Sequence, residues 1–124
     1  NLGTLDSLIS DIGLYNNENV VKVTTEERLT NINFPDATSF SRKMYDQNKN
    51  IYHHLGIYCY QKETLKKFVS HKQSFNERKY KLEQFRALEN DIKINVALAK
   101  TSPIGVDTEE DFLAIKKIME YKLK

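Results

Sequence analysis

The sequence predicts an α/β domain in which helices flank a mixed sheet. Two kinds of segment alternate along the chain, and both are needed for that fold class. Val20–Thr24 is short and rich in β-branched residues, which is typical of a strand. Ile92–Leu98 alternates polar and apolar residues and indicates another strand. Lys62–Ser70 and Phe75–Glu89 instead repeat their apolar residues at helical spacing.

Composition limits the chain to one domain and excludes several classes of protein. The 124 residues carry a formal net charge of +2 without a basic stripe, which argues against a dedicated nucleic-acid binder. No apolar run approaches the roughly 18 residues of a membrane-spanning helix. The single cysteine, Cys59, cannot form an internal disulfide, so we expect a reducing, cytoplasmic compartment. The first residue is Asn1 rather than methionine, so we expect residues 1–124 to continue a longer chain; processing, trimming and renumbering are equally open explanations.

The N-terminal part of the sequence predicts three strands and a long loop. Gly3–Leu8 is expected to form a short strand. Val20–Thr24 is expected to pair as a hairpin with a weaker strand, Leu29–Phe34. Pro35–Asn50 is polar and has no clear periodicity, so we expect a surface loop of about 15 residues there.

Ile51–Tyr60 is predicted to be the central strand, with side chains alternating between two faces. Leu55, Ile57 and Cys59 fall on one face, which we expect to be core. A lone histidine in a strand is more often packed than bound to a ligand, but a glycine and a tyrosine beside it keep both interpretations open. The second face carries a titratable ring, a gap and two phenols: His54, Gly56, Tyr58 and Tyr60.

Two capping boxes mark the starts of helices. Ser74 and Glu77 have the spacing in which a serine oxygen accepts from a backbone N–H and a glutamate reaches back, so a helix is expected over Phe75–Glu89. Thr108 and Asp111 repeat the pattern before the last helix. That helix carries an apolar stripe made of Phe112, Ile115, Ile118 and Met119.

Three further polar residues are candidate ligand contacts. Glu83 and Gln84 stand between apolar residues of a predicted helix. They either form a solvated face or offer hydrogen-bond donors and acceptors to a polyhydroxylated ligand. Asp107 precedes a helix start, so it is either an ordinary helix-entry acid or a ligand of Mg²⁺, which prefers oxygen donors. The histidines show no zinc-site spacing, and there is neither a phosphate-binding glycine loop nor a nucleophile-elbow motif.

Three of these segments together resemble a known enzyme family. His54–Tyr58, Leu82–Leu88 and Gly105–Asp111 are similar in sequence, order and spacing to C-terminal motifs of the CMP-Kdo synthetases (3-deoxy-manno-octulosonate cytidylyltransferases). Asn17–Val23 resembles a further family segment, N-P-N-x-V-K-V. The resemblance covers nearly all of this chain but only about the C-terminal half of the enzyme.

The resemblance implies a fold, a reaction and a set of site residues. The fold is that of Rossmann-like nucleotide-diphospho-sugar transferases. The enzymes join CTP to the acid sugar Kdo, release pyrophosphate and form CMP-Kdo for lipopolysaccharide assembly, with Mg²⁺ as cofactor and typically as homodimers. The CTP-binding half is absent from this sequence, so this piece alone is expected to be inactive. The implied sugar-pocket residues are His54, Tyr58, Glu83 and Gln84, with Asp107 as one of two metal-binding aspartates.

One family motif departs from its usual form. The family's F-S-R-x-x-I-P stretch, whose arginine approaches the sugar, aligns with Phe34–Phe40 and places Asp36 at the arginine position. An acid at that position would repel an anionic sugar, and Arg42 could replace the arginine through a shifted loop. The sequence therefore leaves a second interpretation, in which the chain is a non-catalytic remnant that serves as a structural or protein-interaction module.

Overall fold

A five-stranded mixed sheet forms the centre of the molecule. The computed structural model describes residues 2–9, 13, 16–43, 50–101 and 105–123. The strand order is β3-β2-β4-β1-β5, with β1 and β5 parallel and the other neighbours antiparallel. The longest strand, β4, therefore lies in the middle of the sheet. The strands are β1 (Leu2–Ser7), β2 (Lys22–Thr25), β3 (Ala37–Ser41), β4 (Ile51–Tyr60) and β5 (Ile94–Leu98).

Helices pack on the face of the sheet that carries His54, which we call the histidine face. Phe68, Leu82 and Ala87, from the helical segment after β4, join the strands in one buried apolar cluster. This architecture confirms the predicted α/β class, a mixed sheet flanked by helices. The helices within the described ranges are α1 (Lys62–Ser70), α2 (Phe75–Tyr80), α3 (Gln84–Leu88) and α4 (Glu109–Lys122).

Several elements coincide with their predictions. β4 and α1 have the predicted bounds. The strands predicted at Gly3–Leu8, Val20–Thr24 and Ile92–Leu98 are confirmed as β1, β2 and β5, with ends that differ by one or two residues. Val20–Thr24 is rich in β-branched residues and Ile92–Leu98 alternates clearly, so in these two segments local preference and burial favour the same structure.

The predicted hairpin has the wrong second strand. Leu29–Phe34 forms no strand. Instead, the side chain of Asn33 accepts hydrogen bonds from the N–H and hydroxyl of Thr30 and donates one to the carbonyl of Arg28. Local bonds of this kind compete with the ladder of a sheet. The hairpin partner of β2 is β3, which lies in the stretch predicted to be a surface loop.

A bulge hides the alternation that would have predicted β3. The register between β2 and β3 shifts between Thr24 and Thr25. As a result, Ala37 and Phe40 are both buried although they are three positions apart. A strand with this spacing lacks the two-residue period of buried side chains by which strands are predicted from sequence. Residues 44–49 of the predicted loop lie outside the described residues.

The helix predicted over Phe75–Glu89 is divided into α2 and α3. The capping box is present, because the Ser74 hydroxyl accepts from the Glu77 N–H at 3.2 Å and the Glu77 carboxylate accepts from the Ser74 N–H at 3.0 Å. Lys81 then adopts the left-handed conformation, with φ 55°, which ends α2. The turn allows Leu82 to enter the core before α3 begins. The apolar spacing continues through the break and therefore did not reveal it.

The two faces of β4 are exchanged relative to the prediction. Cys59 is exposed, and Ile57 is 56% exposed, so the prediction that they face the core is wrong. Tyr52 and His54 are buried instead, since the helices cover their side of the sheet. Gly56 has φ +72° in a bulge opposite β1, a conformation that favours glycine. The buried face is built from aromatic and polar side chains, which hydrophobic alternation does not detect.

The last helix, α4, begins at the predicted cap, but its apolar stripe is not buried by any part of the described chain. The Asp111 N–H donates to the Thr108 hydroxyl at 3.1 Å, which completes the capping box. No residue of α4 is buried, and Phe112 and Met119 are 54% and 59% exposed. Among the described helices none has the length and apolar character needed to cross a membrane.

Candidate functional site

His54 is the centre of a buried polar cluster on β4. Its side chain is 3% exposed and both ring nitrogens have partners. Nδ1 lies 3.1 Å from Oδ1 of Asp6 on β1, and Nε2 lies 2.7 Å from the hydroxyl of Tyr58. The ring of Phe40 packs edge-on against the imidazole, with centroids 5.2 Å apart. The antiparallel register, which sets Asp6 opposite His54 and Thr4 opposite Tyr58, produces this arrangement.

Tyr58 is a neutral hydrogen-bonding group at physiological pH. Burial raises the pKa of the Tyr58 phenol above its ordinary value of 10.0, and the nearby Tyr60, Glu83 and Asp6 raise it further. A hydrogen bond with the Gln84 side chain acts in the opposite direction. The phenol therefore keeps its proton and can donate it in one direction while accepting from others.

Glu83 and Gln84 meet Tyr58 across a small cavity. Gln84 begins α3 and is buried, whereas Glu83, at the N-cap, is exposed. The cavity of about 50 Å³ has room for a water molecule or one substituent of a larger ligand. The structure thus brings together His54, Tyr58, Glu83 and Gln84, which are four of the predicted site residues. The cavity is lined by Leu2, Tyr58, Tyr60, Phe68, Glu83, Gln84 and Ile94.

An ion pair holds the helix that carries Gln84. Glu77 in α2 is 5% exposed and accepts two hydrogen bonds from Arg86 in α3, one of them from Nε at 2.9 Å. The Arg86 guanidinium also lies 4.8 Å from the centre of the Phe68 ring. The hydrogen bond from Arg86 lowers the pKa of the Glu77 carboxyl, so the pair is ionised at neutral pH. The sequence predicted Glu77 as a capping residue but not its pairing with Arg86.

Asp6 is a candidate that the sequence did not reveal. It is fully buried, and burial raises the pKa of its carboxyl while the hydrogen bond with His54 opposes that rise. Oδ2 has no hydrogen-bond partner among the described residues. The available signal was an aspartate inside the predicted strand Gly3–Leu8, because a charged residue is seldom buried without a partner.

Asp107 stands apart from the other four candidates. It is exposed before α4, and its backbone N–H donates to Oδ2 of Asp111 at 3.1 Å. No hydrogen bond, ion pair or ring contact found among the described residues joins Asp107 to the histidine cluster. Within the same ranges there is no group of three or more His, Cys, Asp or Glu side chains that could hold a metal. A single exposed carboxylate fits one ligand of a Mg²⁺ ion, provided that other ligands come from outside this chain.

Asp36 does not lie where an arginine could approach a sugar on the histidine face. It pairs with β5 through a bridge to Asn95, and its Oδ1 accepts from the Asn95 amide at 2.8 Å. Its Oδ2 lies 3.7 Å from the ammonium of Lys93. These contacts give Asp36 a structural role beside β5.

Arg42 is a second candidate for the family arginine. Phe40, Ser41 and Arg42 spell F-S-R without any shift, at the end of β3. Phe40 contacts the His54 ring, whereas Arg42 follows the end of β3 and lies close enough to Lys22 to lower the pKa of that amine. One guanidinium N–H of Arg42 donates to the Glu18 carbonyl at 3.3 Å.

Known proteins similar to this chain are cytidylyltransferases. No protein-family model matches it. The 3-deoxy-manno-octulosonate cytidylyltransferase of Bartonella bacilliformis is 39% identical over 122 residues, which is 95% of this chain and 48% of that protein. The protein of the same name from Rhodospirillum rubrum is 40% identical over 106 residues, 74% of this chain and 42% of that protein. The chain thus spans about half the length of the curated relatives it matches.

A solved structure gives the same assignment. CMP:2-keto-3-deoxy-manno-octonic acid synthetase, complexed with CTP, superimposes with a TM-score of 0.80 and 27% identity, over 98% of this chain and 49% of that one. The chain corresponds to the C-terminal half of a CMP-Kdo synthetase. The predicted family and fold class are thereby confirmed. In this CMP-Kdo synthetase segment, the histidine cluster of β4 faces the start of α3.

Proposed function

We propose that this chain forms the acid-sugar site of a nucleotidyltransferase that joins CTP to Kdo, releases pyrophosphate and yields CMP-Kdo for lipopolysaccharide biosynthesis. The observation that carries the proposal is the hydrogen-bonded pair His54–Tyr58 beside Glu83 and Gln84. The four residues belong to motifs that resemble those of CMP-Kdo synthetases. They meet at one place although α1 and α2 separate them along the chain.

The chemistry of this cluster suits a polyhydroxylated anion. Gln84 offers both a donor and an acceptor, and the Glu83 carboxylate accepts from hydroxyl groups. Arg42 adds a planar, permanently charged group of the kind that binds carboxylates in two places. Kdo has several hydroxyls and one carboxylate, so its recognition calls for both kinds of contact. Tyr58, Glu83 and Gln84 at the cavity would meet the hydroxyls, and Arg42 would be the group that meets the carboxylate.

The residues of this chain would bind and orient the sugar. In the proposed reaction, the anomeric hydroxyl of Kdo attacks the α-phosphate of CTP and pyrophosphate leaves. Holding that hydroxyl in line with the phosphate is the main contribution that a sugar site can make. Tyr58 keeps its proton and therefore has a binding role. Mg²⁺, when bound, would neutralise charge on the phosphates, and Asp107 would be one of its carboxylate ligands.

Three parts of the proposal concern the whole enzyme. The whole enzyme would bind CTP, which the CTP complex of the structural neighbour supports. We place that binding mainly in the half that the relatives contain and this chain does not span. The complete enzyme would be a homodimer. A reaction that consumes CTP and feeds lipopolysaccharide assembly would take place in the cytoplasm. The last two parts rest on the family resemblance.

A chimeric enzyme tests the proposal. Residues 1–124 would replace the homologous half of the Bartonella bacilliformis protein, and CMP-Kdo formation from CTP and Kdo would be measured. We expect product, with at least a tenfold lower kcat/KM for Gln84→Ala, because one direct contact is lost. Cys59→Ser is the matched control, since Cys59 is exposed on the strand that carries His54. A chimera that folds and binds CTP but forms no CMP-Kdo would support the non-catalytic remnant instead.

A further inference from the structure

A continuous chain of polar contacts runs from the cavity into the sheet. Gln84 interacts with the Tyr58 phenol, the Tyr58 hydroxyl lies 2.7 Å from His54 Nε2, and His54 Nδ1 lies 3.1 Å from Asp6 Oδ1. The Asp6 and His54 side chains are 0% and 3% exposed. Because bulk water does not reach them, the protons of this chain are shared among its own members.

We propose that Asp6 is a positioning residue that holds His54 in the tautomer protonated at Nδ1 and thereby makes the Tyr58 oxygen an acceptor toward the cavity. The proposal takes Asp6 as ionised: a carboxylate can only accept hydrogen bonds, so the 3.1 Å contact then places a proton on Nδ1. His54 Nε2 then has a lone pair and no proton. The group that can donate to it across 2.7 Å is the Tyr58 hydroxyl.

The burial of Asp6 supports the assignment of the His54 proton to Nδ1. Oδ2 of Asp6 has no partner among the described residues, so the imidazole is the group that stabilises the carboxylate. A buried carboxylate without a donor would be strongly unfavourable. The aspartate lies on β1, the histidine on β4, and their pairing is fixed by the sheet register. The tautomer is therefore set by the fold before a ligand arrives.

The fixed proton positions restrict which ligand group can reach Tyr58. Its own proton is committed to His54, so its oxygen can only accept, as it does from the Gln84 side chain. A ligand group that contacts this oxygen must therefore be a donor such as a sugar hydroxyl. A carboxylate would meet that lone pair and the negative charge of Glu83, which also acts on the phenol. The inference deepens the proposed function: Kdo would place a hydroxyl against Tyr58 and direct its carboxylate elsewhere.

Nuclear magnetic resonance can read the tautomer directly in the ¹⁵N-labelled 124-residue chain. Two-bond ¹H–¹⁵N correlations at pH 7.5 distinguish a protonated ring nitrogen from an unprotonated one. We expect His54 to be protonated at Nδ1 only. Protonation at Nε2 only, or at both nitrogens, would overturn the proposal. This measurement needs no ligand, so it stands even if Kdo fails to bind.

Two variants separate the role of Asp6 from that of Tyr58. Asp6→Leu removes the acceptor, and the His54 proton should then appear at Nε2, where it can donate to the Tyr58 oxygen. Tyr58→Phe removes the other partner, and the proton should remain at Nδ1. If Tyr58→Phe moves the proton while Asp6→Leu does not, Asp6 is not the positioning residue. If Asp6→Leu does not fold, the wild-type and Tyr58→Phe spectra still decide the question.

Affinity provides the second readout. In folded Asp6→Leu, the affinity for Kdo should fall roughly tenfold, the effect of one lost hydrogen bond, although Asp6 does not reach the ligand. Asp91→Asn is the matched control, because Asp91 is exposed and its φ of 57° suits asparagine. An unchanged tautomer and an affinity within twofold of wild type in Asp6→Leu would contradict the inference. Failure of the wild-type chain to bind Kdo would count against the proposed function alone.

Discussion

Replacing Arg86 by methionine should destabilise the chain strongly, because Glu77 would become a buried carboxylate without its partner. The Glu77 side chain is 6% exposed and that of Arg86 is 17% exposed. Breaking a buried pair by removing one member typically costs about 3–5 kcal/mol. Methionine keeps an apolar contact with Phe68, so the loss of the cation–π contact changes the total loss of folding free energy only a little.

Protonation of Glu77 sets an upper limit to this cost. A carboxyl with an ordinary pKa of 4.5 can be neutralised at pH 7 for about 3.4 kcal/mol. We therefore expect Arg86→Met to lower the free energy of unfolding by about 3 kcal/mol. For a domain of this length, that corresponds to a fall in Tm of about 12 °C. Urea unfolding followed by circular dichroism measures the change.

The double variant and the pH dependence identify the cause. Glu77→Gln combined with Arg86→Met leaves no unpaired charge, so it should be more stable than Arg86→Met alone by at least about 1.5 kcal/mol. Arg86 lowers the pKa of Glu77, so the ion pair makes its full contribution to the stability of the folded chain above pH 4.5. That stabilisation is lost as the pH falls through the lower pKa of the folded state. A loss below about 1 kcal/mol at pH 7, or a difference from wild type that grows in acid, would refute the reasoning.

Three further predictions concern the site and the last helix. Tyr58→Phe should lower Kdo affinity about tenfold by calorimetry while costing only about 1 kcal/mol in urea unfolding, and a loss of folding would contradict a binding role. Arg42→Ala should weaken Kdo binding about tenfold, whereas Asp36→Asn should leave it within twofold; the reverse order would place Asp36 at the arginine position. Thr108→Ala removes a helix cap and should reduce hydrogen-exchange protection at the start of α4 by about 1 kcal/mol, with β4 unaffected as the internal control.

The sequence predicted those parts of the fold that local chemistry determines. β4 and α1 were found at their predicted bounds, and the boxes at Ser74 and Thr108 both cap helices. In each case a short segment contains the cause, either as a run of strand-forming residues or as a side chain that reaches a backbone group three residues away. Four candidate site residues were also brought together as the family motifs implied.

Features that depend on long-range contacts were missed. The buried side of β4 is decided by the helices that cover it, so Cys59 and Tyr52 could not be placed from alternation alone. Asp6 meets His54 across 48 positions in the sequence, and only the sheet register joins them. The left-handed turn at Lys81 allows Leu82 to be buried, and no local sequence pattern predicts that turn. Tertiary packing decided each of these outcomes.

Titration of the 124-residue chain with Kdo, followed by aromatic and backbone NMR spectra, tests the central claim most directly. The claim is that His54, Tyr58, Glu83 and Gln84 form an acid-sugar site. We predict saturable shifts of the Tyr58 and His54 ring signals and of the Glu83 and Gln84 amides, with mannose producing none of them at the same concentration. A folded chain whose ring signals stay unmoved at millimolar Kdo, or respond equally to mannose, would contradict the account.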